Sequence, residues 1–320
     1  MKKMTSMRFN QAAFKFLTCF IFLFVTSSAD ALPWVIAHRG GGQNFPENTL
    51  LSFSKSLEMG CDALELDVQV TKDGVVVVYH PDDLKHWTNG IGKISELHWE
   101  DIAHLNAGYY FKGEEETYPF RDLNLKIPKL EEVLDAFPKT LIIIDMKSLP
   151  AESLVNALIQ TISDEESNRL LFYSTNSEHL ELLSRHKPHW KTFEKRDITR
   201  QRLLDLNQTG ETELSLISNW IGFELKRKMR VTETFALGKG TSMVEFHLWS
   251  PEVVAYLKEC NPSVSLILFG INKKDEWDQA VSLGVDAIYT DNPHVILKLK
   301  NAEAIKNESI ISSENPYFRL

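Results

Sequence analysis

Three cysteines in 320 residues are too few for a disulfide framework. Fifteen glycines and twelve prolines exclude a collagen-like or low-complexity chain. Basic residues are outnumbered 35 to 44, and a net charge of −9 argues against a strongly basic nucleic-acid binder. No GxGxxG turn is present, so the signature of an open dinucleotide-binding sheet is missing. No internal repeat or polar linker divides the chain, and one domain is the simpler count. What remains is ordinary for a globular protein: 43% hydrophobic and 25% charged residues, which excludes wholesale disorder.

The first thirty-one residues read as an export signal rather than as fold. Lys2, Lys3, Arg8 and Lys15 precede an uncharged apolar run over residues 16–25, and Ala29-Asp30-Ala31 supplies small residues for cleavage. The run is about half of the roughly 20 residues a spanning helix needs, so no membrane span is expected after cleavage. An uncleaved N-terminal anchor is the alternative. The expected location is therefore secreted or periplasmic. Cys19 leaves with the signal, and Cys61 and Cys260 remain, by default as two buried thiols.

From residue 32, short β-rich runs alternate with amphipathic stretches. Strands are predicted at 35–37, 63–70, 75–79, 141–144, 170–173, 244–246, 266–269 and 287–289, with a further one near 191–193. Helical patterns fall at 49–59, 129–137, 151–162, 177–185, 251–259 and 274–283. Residues 196–242 read as a helix plus a long charged loop. Alternating strands and helices imply an α/β fold with a parallel sheet. The length suits a single-domain TIM-like (β/α)8 barrel over residues 32–300, with a β-hairpin insertion after strand 2. Residues 301–320 read as a polar tail.

In such a barrel the chemistry stands at the C-terminal strand ends. His38-Arg39-Gly40 ends the first strand. Glu65 and Asp67 are two apart on the second, so they share a face, with Leu64, Leu66 and Val68 on the other. Two carboxylates so placed repel unless a cation or proton separates them, and oxygen ligands suit Mg2+ or Ca2+. An acidic pair on an exposed edge strand is the plainer alternative. Thr71-Lys72-Asp73-Gly74 marks a turn, and a hairpin folded about Lys72 and Asp73 returns His80 abreast of Glu65. Asp145 and Lys147 repeat the two-apart geometry, and the partner of Lys147 is either Asp145 itself or a bound phosphate. Arg39 offers a fork for phosphate oxygens, and His38 and His80 offer an acid and a base. Together these groups form a kit for phosphodiester cleavage.

The sequence resembles the glycerophosphodiester phosphodiesterase family. The resemblance rests on His38-Arg39-Gly40, Pro46-Glu47-Asn48-Thr49, Glu65-Leu66-Asp67-Val68, Thr71-Lys72-Asp73-Gly74 and His80. It continues through Thr88-Asn89-Gly90-x-Gly92, Ile127-Pro128-x-Leu130-Glu131-Glu132-Val133, Asp145-Met146-Lys147 and Thr290-Asp291-x-Pro293. It implies a TIM-like barrel that cleaves glycerophosphodiesters to sn-glycerol 3-phosphate and an alcohol. It further implies a divalent cation, Ca2+ or Mg2+, on Glu65, Asp67 and Asp145. His38 and His80 would be the catalytic pair, and Arg39, Lys147 and Phe269 substrate contacts. Three departures stand out: Asp145 where the family usually has Glu, Phe269-Gly270-Ile271-Asn272 where it has Trp-Thr-x-Asn, and Pro81 between His80 and Asp82. A lysophospholipid hydrolase of phospholipase D type and a non-catalytic diester-binding barrel are the alternatives. The partner expected is a small-molecule diester. The aromatic clusters at 109–111 and 118–120 read as a packed loop first, and as a site cover or peripheral lipid contact second.

Overall fold

The computed structural model describes residues 31–113, 116–215 and 218–314, with side chains as far as residue 306. The export reading therefore falls almost wholly outside the described residues. The chain opens with β1 (Trp34–Ala37), α1 (Leu50–Met59), β2 (Ala63–Val70) and β3 (Val76–Val78). α2 (Trp99–Ile102), α3 (Leu130–Ala136), β4 (Leu141–Met146), α4 (Ala151–Thr161), β5 (Leu170–Tyr173) and α5 (Ser177–His186) follow. The second half holds α6 (Arg196–Thr209), β6 (Trp220–Glu224), β7 (Arg227–Phe235), β8 (Gly238–Phe246) and α7 (Pro251–Cys260). It closes with β9 (Ser265–Phe269), α8 (Lys274–Leu283), β10 (Ala287–Thr290) and α9 (Pro293–Glu314).

The main sheet runs β5-β4-β2-β1-β10-β9-β6 in parallel, with β3 added antiparallel to β2. Residues 191–194 join its two ends. Phe172 N donates to Lys191 O and Phe193 N to Phe172 O, both at 2.9 Å, and Glu194 N donates to Trp220 O at 2.8 Å. This short segment is the eighth stave of a TIM-like barrel, where the sequence predicts a strand.

Period-two alternation sorts the strands. Leu64, Leu66 and Val68 of β2 and Ile142 and Ile144 of β4 pack outward with the helices. Ala63, Ile143, Leu171, Phe193, Ile267 and Ala287 fill the barrel interior. Following the same phase, Glu65, Asp67 and Asp145 point inward near the C-terminal ends. Gly222 of β6 makes room there: a Cβ would come within 2.5 Å of the Phe269 ring and 2.8 Å of the Phe193 ring.

Several expectations need correction. Val244–Phe246 is not a barrel strand but the end of β8, which among the described residues pairs only with β7, in a separate two-stranded sheet. The segment read as helix plus loop contains α6, β6 and most of that hairpin. Helix α9 spans the expected domain end at residue 300 and continues to Glu314, so the first part of the expected tail is helical. Cys61 and Cys260 are both free, and only Cys61 is buried. The hairpin between β2 and β3 is out of the expected register by one: Val68 pairs with Val78 and Val70 with Val76, so His80 lies beyond the pairing rather than abreast of Glu65.

Candidate active site at the strand ends

The first strand ends in a strained turn. Arg39 has φ of 53° and Gly40 of 75°, the left-handed region. A Cβ on Gly40 would meet Ser52 Oγ at 2.4 Å, so only glycine lets α1 approach this turn. The turn aims the Arg39 backbone N–H at Glu65 Oε2, 2.9 Å away. Its guanidinium reaches Asp67 Oδ2 at 3.1 Å and Glu47 Oε2 at 3.3 Å. Asn48, also left-handed at φ 58°, donates to Asp67 Oδ2 at 2.9 Å and accepts from Asp67 N at 3.1 Å. The Glu47 and Asn48 side chains thus brace the site.

Glu65, Asp67 and Asp145 converge: one oxygen from each lies within 4.8 Å of the others, and all three are buried. Asp67 Oδ1 and Asp145 Oδ1 are buried without a hydrogen bond. Lys147 Nζ is ion-paired with Asp145 and stands 3.1 Å from Asp67 Oδ1. Of the two partners considered for Lys147, the structure shows Asp145, together with Asp67. Burial pushes the Glu65 and Asp145 carboxyls up, and the Asp67 charge adds to it. Burial also acts on Asp67, but Lys147 and Arg39 outweigh it and hold that carboxyl low. Three inward, converging carboxylates, one oxygen of Asp145 without any partner, fit a hard divalent cation.

His38 sits at the rim of this cluster. Its Nδ1 is 2.6 Å from Asp291 Oδ1 and its Nε2 is 3.8 Å from Glu65 Oε2. Burial alone would lower its pKa, but the Glu65 charge and the Asp291 hydrogen bond raise it to about 9. His80 lies nearby, with Nδ1 3.9 Å from Glu47 Oε1. Burial lowers its pKa to about 4; Asp67 opposes this, and Arg39 and Lys147 reinforce it. The loop that carries His80 is pinned by Gln69, whose Nε2 donates to the carbonyls of Tyr79 at 2.9 Å, His80 at 3.3 Å and Pro81 at 2.9 Å.

A cavity of about 520 Å3 opens over these groups, lined by His38, Arg39, Glu65 and Asp145 on one side. Phe269 walls it, stacked on Tyr289 with ring centroids 4.4 Å apart. Across the mouth stands a basic rim. Arg196 Nη1 donates to Tyr173 OH at 2.7 Å, and Arg227 Nη1 donates to Glu224 Oε1 at 2.8 Å. A larger groove of about 740 Å3 around His189 and Lys195 shares no lining residue with this cavity and lacks the carboxylate cluster.

The match to known proteins decides the family. The glycerophosphoryl diester phosphodiesterase family model matches residues 38–295. This chain belongs to that family. It is accordingly a phosphoric diester hydrolase. It is 35% identical over 277 residues to the uncharacterized protein Rv2277c of Mycobacterium tuberculosis, covering 83% of this chain and 91% of that one. A crystal structure of the family domain of Rv2277c superposes with a TM-score of 0.76 at 32% identity, covering 84% of this chain and all of that one. The chain is also 30% identical over 270 residues to a glycerophosphodiester phosphodiesterase of Caldanaerobacter subterraneus, covering 83% of this chain and 96% of that one. A phosphodiesterase of Oleispira antarctica solved with sn-glycerol-3-phosphate shares the fold, with a TM-score of 0.59 at 22% identity over 85% of this chain and 96% of that one.

All eight residues singled out in the sequence gather at this end of the barrel. Asp291 was missed as a side-chain partner, although it stands within the Thr290-Asp291-x-Pro293 motif and continues the inward phase of Ala287 and Tyr289. Glu47 and Asn48 were likewise quoted only as motif. Gln69, Arg196, Glu224 and Arg227 carried no sequence signal. Among the other histidines, His247 is 53% exposed and paired with Glu245. Trp249 is buried in the core. The aromatic loop packs on itself, with Phe111 and Phe45 both edge-on to Phe120.

Proposed function

We propose that the chain cleaves glycerophosphodiesters to sn-glycerol 3-phosphate and an alcohol, using a divalent cation, Ca2+ or Mg2+, held by Glu65, Asp67 and Asp145. The observation that carries this reading is the buried carboxylate trio beneath His38 and Arg39, with Asp145 Oδ1 left without a partner. A cation bound there draws charge off a phosphoryl oxygen. Arg39 and Lys147 add positive charge for the phosphate, Arg39 through its fork. The opposed shifts of the two histidines divide the proton work. His80, held neutral, takes the proton of the attacking hydroxyl. His38, held protonated by Asp291, returns one to the departing alkoxide. Phe269 and Tyr289 present an apolar wall to the organic part of the substrate.

The test is a panel of soluble glycerophosphodiesters and lysophospholipids, each assayed with Mg2+, Ca2+ or EDTA. Glycerophosphocholine is expected to yield sn-glycerol 3-phosphate only when metal is present. His38→Ala and His80→Ala are each expected to lose about 10²- to 10⁴-fold in rate with folding intact. Activity confined to lysophosphatidylcholine would select the lysophospholipid reading instead. The same proposal places the protein outside the cytoplasm, exported by residues 1–31; N-terminal sequencing of the protein recovered from periplasm or medium tests it.

A further inference from the structure

Strands β7 and β8 form a sheet of their own beside the barrel. Each has nine residues, so the ribbon is about 30 Å long. None of residues 228–245 is buried. Alternation nonetheless sorts its side chains. Met229 pairs directly with Val244 and Arg227 with Phe246, and Val231 and Phe235 share their face. Lys228, Arg230 and Lys239 fall on the other face with Met243 and Glu245, and Glu233 stands between Val231 and Phe235 on the first. At the tip, Leu237 is fully exposed and Phe235 is 57% exposed. The Phe235 ring lies on Gly240, where a Cβ would approach it within 2.6 Å. Phe235 is thus packed on the partner strand, while Leu237 projects into solvent.

A ribbon of this kind gains little from folding alone in water, and an exposed apolar patch of this shape marks a contact surface. Its charge says what it contacts. Residues 226–246 carry five Lys or Arg against two Glu, in a chain whose net charge is −9. Lys226 and Arg227 at the base pair with Asp275 and Glu224, which leaves Lys228, Arg230 and Lys239 against Glu233 and Glu245 along the ribbon. A locally basic ribbon with aliphatic and aromatic groups at its tip complements an anionic headgroup layer, where apolar side chains enter and cationic ones meet phosphates. Lys and Arg stems are long enough to reach past the edges of a two-stranded ribbon. The base of the ribbon is tied to the cavity, since Arg227 lines it and bonds Glu224.

We propose that the β7–β8 hairpin docks the protein on an anionic phospholipid surface, with Phe235 and Leu237 entering the headgroup layer. The inference extends the reading of the cavity by naming the surface beside which it works, and its test involves no hydrolysis.

The test compares the full-length protein with a Phe235→Ser/Leu237→Ser variant by co-sedimentation with equimolar phosphatidylglycerol and phosphatidylcholine vesicles, and with pure phosphatidylcholine. The parent is expected to partition into the anionic vesicles about tenfold more strongly than the variant, and less so at high salt. Hydrolysis of soluble glycerophosphocholine is expected to be the same in both. A Leu237→Trp variant reads the tip itself: its emission should shift to the blue and be quenched by brominated acyl chains with anionic vesicles. Equal partitioning of parent and variant overturns the proposal, as does an unchanged Leu237→Trp spectrum. So does a parent dimer that dissociates in the double variant, since that gives the face to a second copy. Absent hydrolysis with intact docking would strike the cavity reading alone.

Discussion

Replacing Asp291 with asparagine tests the site with the smallest change of shape. The Asp291 carboxylate holds His38 Nδ1 at 2.6 Å, and both side chains are more than two-thirds buried, 27% and 29% exposed. A hydrogen bond to a charged group is worth about 1.5–3 kcal/mol. Asn272 decides how the new amide points, because its Nδ2 donates to Asp291 Oδ2 at 3.3 Å. The oxygen of the introduced amide keeps that bond, which leaves its NH2 facing His38 and forces Nδ1 to accept. The imidazolium then loses its partner. Its pKa, now about 9, is expected to fall by about one to two units. The value of kcat/KM is expected to drop about 10- to 100-fold. The sign of the stability change follows. His38 is raised above its ordinary value of 6.5, so its contribution is full below that pH and fades as pH rises through about 9. Asp291→Asn should therefore cost more stability near pH 6 than near pH 10. The assays are a pH–rate profile on glycerophosphocholine, an NMR titration of the His38 ring and urea unfolding at both pH values. A variant within twofold of the parent rate, with an unshifted His38 titration, would refute the positioning role.

Other outcomes follow from the same geometry. Mg2+ or Ca2+ at about a hundredfold over its Kd should stabilise the fold by about 2.7 kcal/mol, or roughly 5 °C in Tm. Because burial raises the Glu65 and Asp145 carboxyls, protons compete with the ion, so the Tm gain should be larger near pH 8 than near pH 5.5. A gain independent of pH, or one that survives Glu65→Gln, would count against the ligand set. Gly222→Ala inserts a methyl between the Phe269 and Phe193 rings and should cost about 1–3 kcal/mol, read as a lower urea midpoint. An unchanged midpoint would show that the barrel interior is looser than its packing implies.

The parts that sequence reading recovered are those where period-two alternation survives. Glu65 and Asp67 were placed on one face because Leu64, Leu66 and Val68 define the other. The one-residue error at His80 has a specific source. The turn is a three-residue loop, with Thr71 N bonded to Val75 O at 2.9 Å and Gly74 left-handed at φ 86°, rather than a two-residue one. Residues 196–242 resisted reading because polar side chains do the packing there. Arg202 and Glu194 are both essentially buried and pair at 2.6 Å, so α6 has weak apolar spacing and was read without bounds, and β6 behind it was read as loop. Gly222 breaks the apolar run of β6 for the reason that makes it necessary. The β7–β8 ribbon is mostly solvent-exposed, and its threonines and lysines read as loop.

The join at residues 191–194 gives the ring an uneven construction. Around the circle it lies opposite β1, half a circumference from the turn that carries His38 and Arg39. The arc β10-β1-β2-β4 is knitted by continuous parallel pairing, whereas the far side is closed by a few amide bonds from one short segment. His38, Arg39, Glu65, Asp67 and Asp145 all stand on the arc that faces away from this join.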